Sequence, residues 1–113
     1  MKVVFSTKRT IEELKDLRSL TGDENGAQRV AFTDKWALAR AWLKDKLDAL
    51  PVEVHTDAAG NLWATLQGKS DQSLLMGGHI DSVPNGGWLD GCLNTLAGLE
   101  SLRRIVEQYG TEP

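Results

Sequence analysis

Apolar residues along this chain fall into three stripes of helical spacing, one alternating pair of segments and one short continuous run. Ile11, Leu14 and Leu17 recur at the helical interval. Thr10-Ile11-Glu12-Glu13 just ahead of them has the form of a capping box, so a first helix is expected to begin at Thr10. Gly22 and the polar run Asp23-Glu24-Asn25-Gly26 end it in a loop. A second helix is expected from Thr33 or Asp34 to Leu47, with Ala39, Leu43 and Leu47 on one stripe and Leu38 and Trp42 beside it; Pro51 closes it.

Val52-Glu53-Val54-His55-Thr56 alternates apolar with polar residues, and Leu62-Trp63-Ala64-Thr65-Leu66 reads as a second strand. Asp57-Ala58-Ala59-Gly60-Asn61 supplies the turn between them, so a β-hairpin is expected. Leu74-Leu75-Met76 is continuously apolar and reads as a strand covered on both faces. From Gly91 or Cys92 to Gln108 the stripe Cys92, Leu96, Leu99, Leu102, Val106 predicts a third helix, widened by Leu93 and Ile105 and stopped at Tyr109-Gly110. Helix, helix, hairpin, buried strand, helix is the order of an α/β layered architecture.

Composition narrows the function. With 113 residues the chain has the length of one domain. Thirteen basic and sixteen acidic residues give a net charge of −3 without a basic stripe, which argues against nucleic acid as a partner. A single cysteine, Cys92, excludes an internal disulfide and a paired-thiolate zinc site, and suits a reducing cytoplasm. Val3-Val4-Phe5 is too short for a signal-peptide core and Lys8-Arg9 follow it; no apolar run is long enough to span a membrane.

The chemistry lies between Gly77 and Gly91. His79-x-Asp81 follows the apolar run, and Pro84-Asn85-Gly86-Gly87 then leads to Asp90-Gly91 at the start of the third helix. Imidazole and carboxylate suit zinc, manganese or cobalt, and a pair of such ions provides what hydrolysis of an unactivated amide needs. On this reading His79 is a metal ligand, Asp81 orients its imidazole, and Asp90 can bridge two cations. Plainer roles compete: His79 capping a strand end, Asp90 as a helix N-cap, Gly86-Gly87 as turn residues. His55 reads as an exposed strand histidine, Cys92 as a small packing residue, Trp36, Trp42 and Trp63 as core. Trp88 inside the loop is as readily a pocket wall.

The string Gly77-Gly78-His79-Ile80-Asp81-Ser82-Val83-Pro84-Asn85-Gly86-Gly87-Trp88-Leu89-Asp90-Gly91, with Leu96-Ala97-Gly98-Leu99-Glu100, resembles the N-terminal signature of the M20 metallopeptidase-like amidohydrolases. Within them it is most similar to the hydantoinase/carbamoylase branch, which includes N-carbamoyl-L-amino-acid hydrolases, β-ureidopropionase and allantoate amidohydrolase. Arg29-Val30-Ala31-Phe32-Thr33 and Asp57-Ala58-Ala59-Gly60-Asn61-Leu62 share the likeness. The resemblance implies that His79 binds one metal, that Asp90 bridges two divalent ions (Zn, or Mn, Co or Ni), and that Asp81 is the catalytic-site residue orienting His79. It implies that residues 1–113 form the N-terminal portion of a layered mixed-sheet zinc-hydrolase domain with helices on both faces, without the family's dimerisation domain.

Two departures stand out. Many relatives carry Ser at the position of Gly78 and a Gly-Val pair at Asn94-Thr95. The family's glutamate pair, one of them the general base, is expected beyond Pro113, as are two later histidine ligands. Hence one expectation is a complementing chain, or self-association through uncovered apolar faces, with a small ureide as substrate of the complete enzyme. The alternatives are a non-catalytic fragment or interaction subunit, and a portion of an M20-type aminopeptidase or dipeptidase.

Overall fold

The computed structural model describes residues 7–110; Val3-Val4-Phe5 and Thr111-Glu112-Pro113 lie outside the described residues. Helix α1 (Lys8–Thr21) starts one turn earlier than the capping box suggests, after Thr7, whose side chain makes no capping bond. Thr10 is buried inside the helix, and Glu13 does not turn back to it. Instead the Glu13 carboxylate accepts from Arg103 Nη1 at 2.5 Å and Nη2 at 2.7 Å, with Lys46 Nζ at 3.1 Å. Two cations from other elements hold that carboxylate more strongly than one local amide would.

Strands β1 (Gly22–Asp23) and β2 (Gly26–Ala27) form a small antiparallel hairpin in the stretch expected to be loop. Its turn is built on Asp23 Oδ1, which accepts from Asn25 N at 2.9 Å and Gln28 Nε2 at 3.0 Å. Helix α2 (Asp34–Asp48) matches expectation: Thr33 caps it by accepting from Trp36 N, and Ala39, Leu43 and Leu47 are buried.

Strands β3 (Glu53–Thr56) and β4 (Leu62–Thr65) make the expected hairpin, with Val54 opposite Ala64 and His55 opposite Trp63. Its turn is organised by Asp57, whose carboxylate accepts from Trp63 Nε1 at 2.8 Å, Asn61 Nδ2 at 3.0 Å, Asn61 N at 2.9 Å and Ala59 N at 3.0 Å. The Trp63 bond, then those from Asn61, hold this carboxyl at about 2. Trp63 is thereby committed to the surface side of the sheet, where it stacks on the exposed His55 at 6.3 Å; it is not core. Trp36 also stands at the periphery, against Phe32 and under Arg40, while Trp42 packs partly on the core.

Helix α3 (Cys92–Tyr109) closes the core. Leu14 and Leu17 of α1, Ala39, Leu43 and Leu47 of α2, and Cys92, Leu96 and Leu99 of α3 make one buried cluster, against which Val52, Val54, Leu62 and Ala64 of the hairpin rest. The class is α/β, and the sheets among the described residues are two antiparallel pairs.

Leu74-Leu75-Met76 departs from expectation. It has no strand geometry, and Leu74 and Leu75 are 88% and 72% exposed. A strand exists only through hydrogen bonds to neighbours about 4.7–4.9 Å away, and among the described residues none lies beside this run. No helix among them is long and apolar enough to cross a membrane.

Candidate active site

Three short segments meet at one end of the core. The chain after β2 lies along residues 80–86: Ala27 and Gly86 exchange both backbone bonds, at 2.8 and 3.0 Å, and Ser82 N donates to Arg29 O at 2.9 Å. Gln28 reinforces the seam through Asn85, donating from Nε2 at 2.8 Å and accepting from Asn85 N at 3.1 Å. Asn85 takes a left-handed φ of 55°, which an asparagine tolerates in a tight turn. The loop carrying His79 and Asp81 is thus pinned to the small hairpin rather than to a sheet.

His79 Nδ1 lies 3.1 Å from Asp81 Oδ1 and 3.0 Å from Asp81 O. A proton on Nδ1 satisfies both acceptors and leaves Nε2 with its lone pair outward. The imidazole rests directly on Gly91. A β-carbon there would overlap ring atoms Cε1, Nδ1 and Nε2, and Gly91 has a φ of +73° that disfavours a side chain in any case. Gly91 is therefore the cradle of the ring, and Asp90 is its immediate neighbour.

Asp90 is not the helix cap. Gly91 occupies that position, and Cys92 N donates to Asp90 O at 2.8 Å. The Asp90 side chain is exposed and makes no hydrogen bond among the described residues. His79 is likewise exposed. One open imidazole nitrogen and one uncommitted carboxylate, set one cradle residue apart, form a nitrogen and oxygen donor pair suited to a zinc-type ion. Among the described residues no three histidine, cysteine or carboxylate side chains converge, so a metal held here needs further ligands.

Cys92 is buried with its thiol donating to Trp88 O at 2.9 Å, a packing role. Burial pushes that thiol up, against a smaller downward pull from Arg29. Trp88 packs partly on the core, with Arg18 stacked 5.0 Å from its ring centre. Arg29 is the residue that pattern reading passes over: it is fully buried and donates from Nε to Ile80 O at 2.7 Å. In the sequence it appears only within the stretch Arg29-Val30-Ala31-Phe32-Thr33 that shares the family likeness, with no role of its own.

No family model matches the chain. It is similar to the allantoate amidohydrolase of Bacillus subtilis (strain 168), 33% identical over 89 residues that make up 77% of this chain and 22% of the relative. The N-carbamoyl-L-amino-acid amidohydrolase of Paenarthrobacter aurescens is 30% identical over 102 residues, 88% of this chain and 25% of that protein. A hydantoinase/carbamoylase family amidase from Burkholderia ambifaria superposes with a TM-score of 0.87 at 30% identity, covering 94% of this chain and 27% of that structure. The chain belongs to the hydantoinase/carbamoylase family of amidohydrolases. It spans about a quarter of the length of these family members.

Proposed function

We propose that this chain supplies one portion of a binuclear metal-dependent amidohydrolase site that cleaves linear ureido or amide C–N bonds. The observation that carries the reading is the seat of His79, fixed by Asp81 at Nδ1 and cradled on Gly91 next to Asp90, with Nε2 and the Asp90 carboxylate left open. His79 and Asp90 would hold the ions. The chemistry such ions would supply is a lowered pKa for a bound water and a polarised substrate carbonyl. Asp81 keeps the His79 proton on Nδ1, so that Nε2 stays a donor of its lone pair, and the missing β-carbon at Gly91 leaves room for the ring. The general base and remaining ligands come from the rest of the family's fold, carried by the same polypeptide or by a separate complementing chain. Allantoate and N-carbamoyl-L-amino acids, the substrates in the relatives' names, share a linear ureido group, and that is the substrate class we assign.

A second reading, a non-catalytic interaction subunit, draws on the absence of a three-ligand cluster among the described residues. One experiment separates the two. The chain is purified from its own source with bound proteins retained, and hydrolysis of allantoate and N-carbamoyl-L-amino acids is assayed with zinc or manganese. Activity abolished by Asp90→Asn supports the enzyme; no hydrolysis, with Asp90→Asn silent, leaves only the interaction subunit.

A further inference from the structure

We infer that Arg29 is a positioning residue, holding the segment that carries Asp81 and follows His79 against the chain after β2. Its backbone N donates to Ser82 Oγ at 2.9 Å, its carbonyl accepts from Ser82 N at 2.9 Å, and its Nε donates to Ile80 O at 2.7 Å. The Ile80 carbonyl belongs to the peptide before Asp81 and the Ser82 amide to the peptide after it. Both peptides of Asp81, and the residue following His79, are thereby tied to one side chain and its backbone.

Packing alone does not account for an arginine here. Nη1 and Nη2 are buried without a hydrogen-bond partner among the described residues. Open donors on a buried charge are unfavourable, and an apolar residue of similar length would fill the space without that cost. What arginine adds is the charge-assisted bond to Ile80 O, made from a planar group that packing holds in place. That the positioned residues bind metal rests on the function proposed above; the positioning itself does not.

The test is hydrogen exchange by mass spectrometry on the full chain and on Arg29→Met and Arg29→Lys, without metal. A hydrogen bond to a charged donor corresponds to a factor of roughly 10 to 100. Arg29→Met is therefore expected to speed exchange in peptides covering 79–86 at least about tenfold, with α1 and the β3–β4 hairpin unchanged. Arg29→Lys, which keeps charge and donor, falls between it and the parent. Exchange that rises evenly over the molecule, or stays unchanged at 79–86, overturns the inference. Should Arg29→Met not fold, Arg29→Lys decides alone by the same local-against-global pattern. The exchange pattern is read without metal, so the Arg29 result stands or falls independently of the metal reading.

Discussion

A β-carbon on Gly78 would stand 2.8 Å from the Cβ of Asn94, with Gly91 O at 3.0 Å and Thr95 N at 3.1 Å around it. Gly78 and Asn94 therefore face each other. A side chain on the loop and a side chain on α3 compete for one space, and here α3 has it. Asn94 is exposed, and the loop makes room for it by carrying glycine.

The pairing predicts non-additive energetics. Gly78→Ser is expected to cost about 1–3 kcal/mol by overpacking, and Asn94→Gly about 1 kcal/mol through lost helix propensity. The double variant is expected to be more stable than Gly78→Ser alone, because the Cβ clash is gone and only the tight backbone contacts remain. A urea-denaturation double-mutant cycle measures the coupling; additive losses would contradict the steric account.

Gly91 makes a sharper case, since stability and site geometry separate there. Gly91→Ala forces an alanine to a φ of +73° and onto the His79 ring. The backbone term is roughly 1–2 kcal/mol. The exposed imidazole escapes the clash by swinging out, so its loss of position adds little to unfolding. The expected result is a modestly lower melting temperature together with a displaced His79 imidazole, read by loss of NMR contacts between the ring and residue 91. A His79 ring still in contact with residue 91 in a folded Gly91→Ala chain would show that the cradle is not needed.

How legible the molecule is in its sequence follows the range of the interactions. The stripes Ala39-Leu43-Leu47 and Cys92-Leu96-Leu99 announce their helices because a helix closes its own hydrogen bonds and needs only one apolar face. The β3–β4 hairpin is legible because its partner strand is a turn away. Leu74-Leu75-Met76 is not, since a continuous apolar run marks a strand only where neighbours pair with it, and among the described residues none does. Glu13 looks like half of a capping box because its true partners, Arg103 and Lys46, are remote in the chain. In the site, His79, Asp81 and Asp90 stand out by spacing. Arg29 does not, because burial of an arginine leaves no local pattern.

The bare run at 74–76 predicts behaviour in solution. Three consecutive exposed apolar residues, Leu74, Leu75 and Met76, form a patch of the kind that drives association. Sedimentation velocity on the 12.4 kDa chain is expected to show mass rising with concentration, and Leu74→Glu with Leu75→Lys is expected to suppress it. A parent chain that stays monomeric over a hundredfold concentration range would remove the prediction.

Acid should undo the α1–α3 junction before it undoes the rest. Glu100 accepts from Arg9 Nε at 2.8 Å, Arg104 Nε at 2.9 Å and Arg103 Nη1 at 3.3 Å, while Arg103 also clamps Glu13. Burial alone would push the Glu100 carboxyl up; the hydrogen bonds from Arg9, Arg104 and Arg103 outweigh it and hold the group at about 2. Glu13 is lowered too, burial again being overcome by its bonds from Arg103 and Lys46. Both groups therefore titrate lower folded than unfolded, where a glutamate sits near about 4.3. The sign follows: their stabilisation is complete above that unfolded value and is lost as pH falls through the folded values. Thermal melts of the Leu74→Glu, Leu75→Lys chain are expected to be flat from pH 7 to about 5 and to fall steadily from about 4.5 toward 2. Glu100→Gln leaves three arginines facing a neutral amide, so it should cost roughly 2–3 kcal/mol at pH 7 and flatten the acid limb. An acid limb that keeps its full slope in Glu100→Gln would place the titrating carboxylates elsewhere.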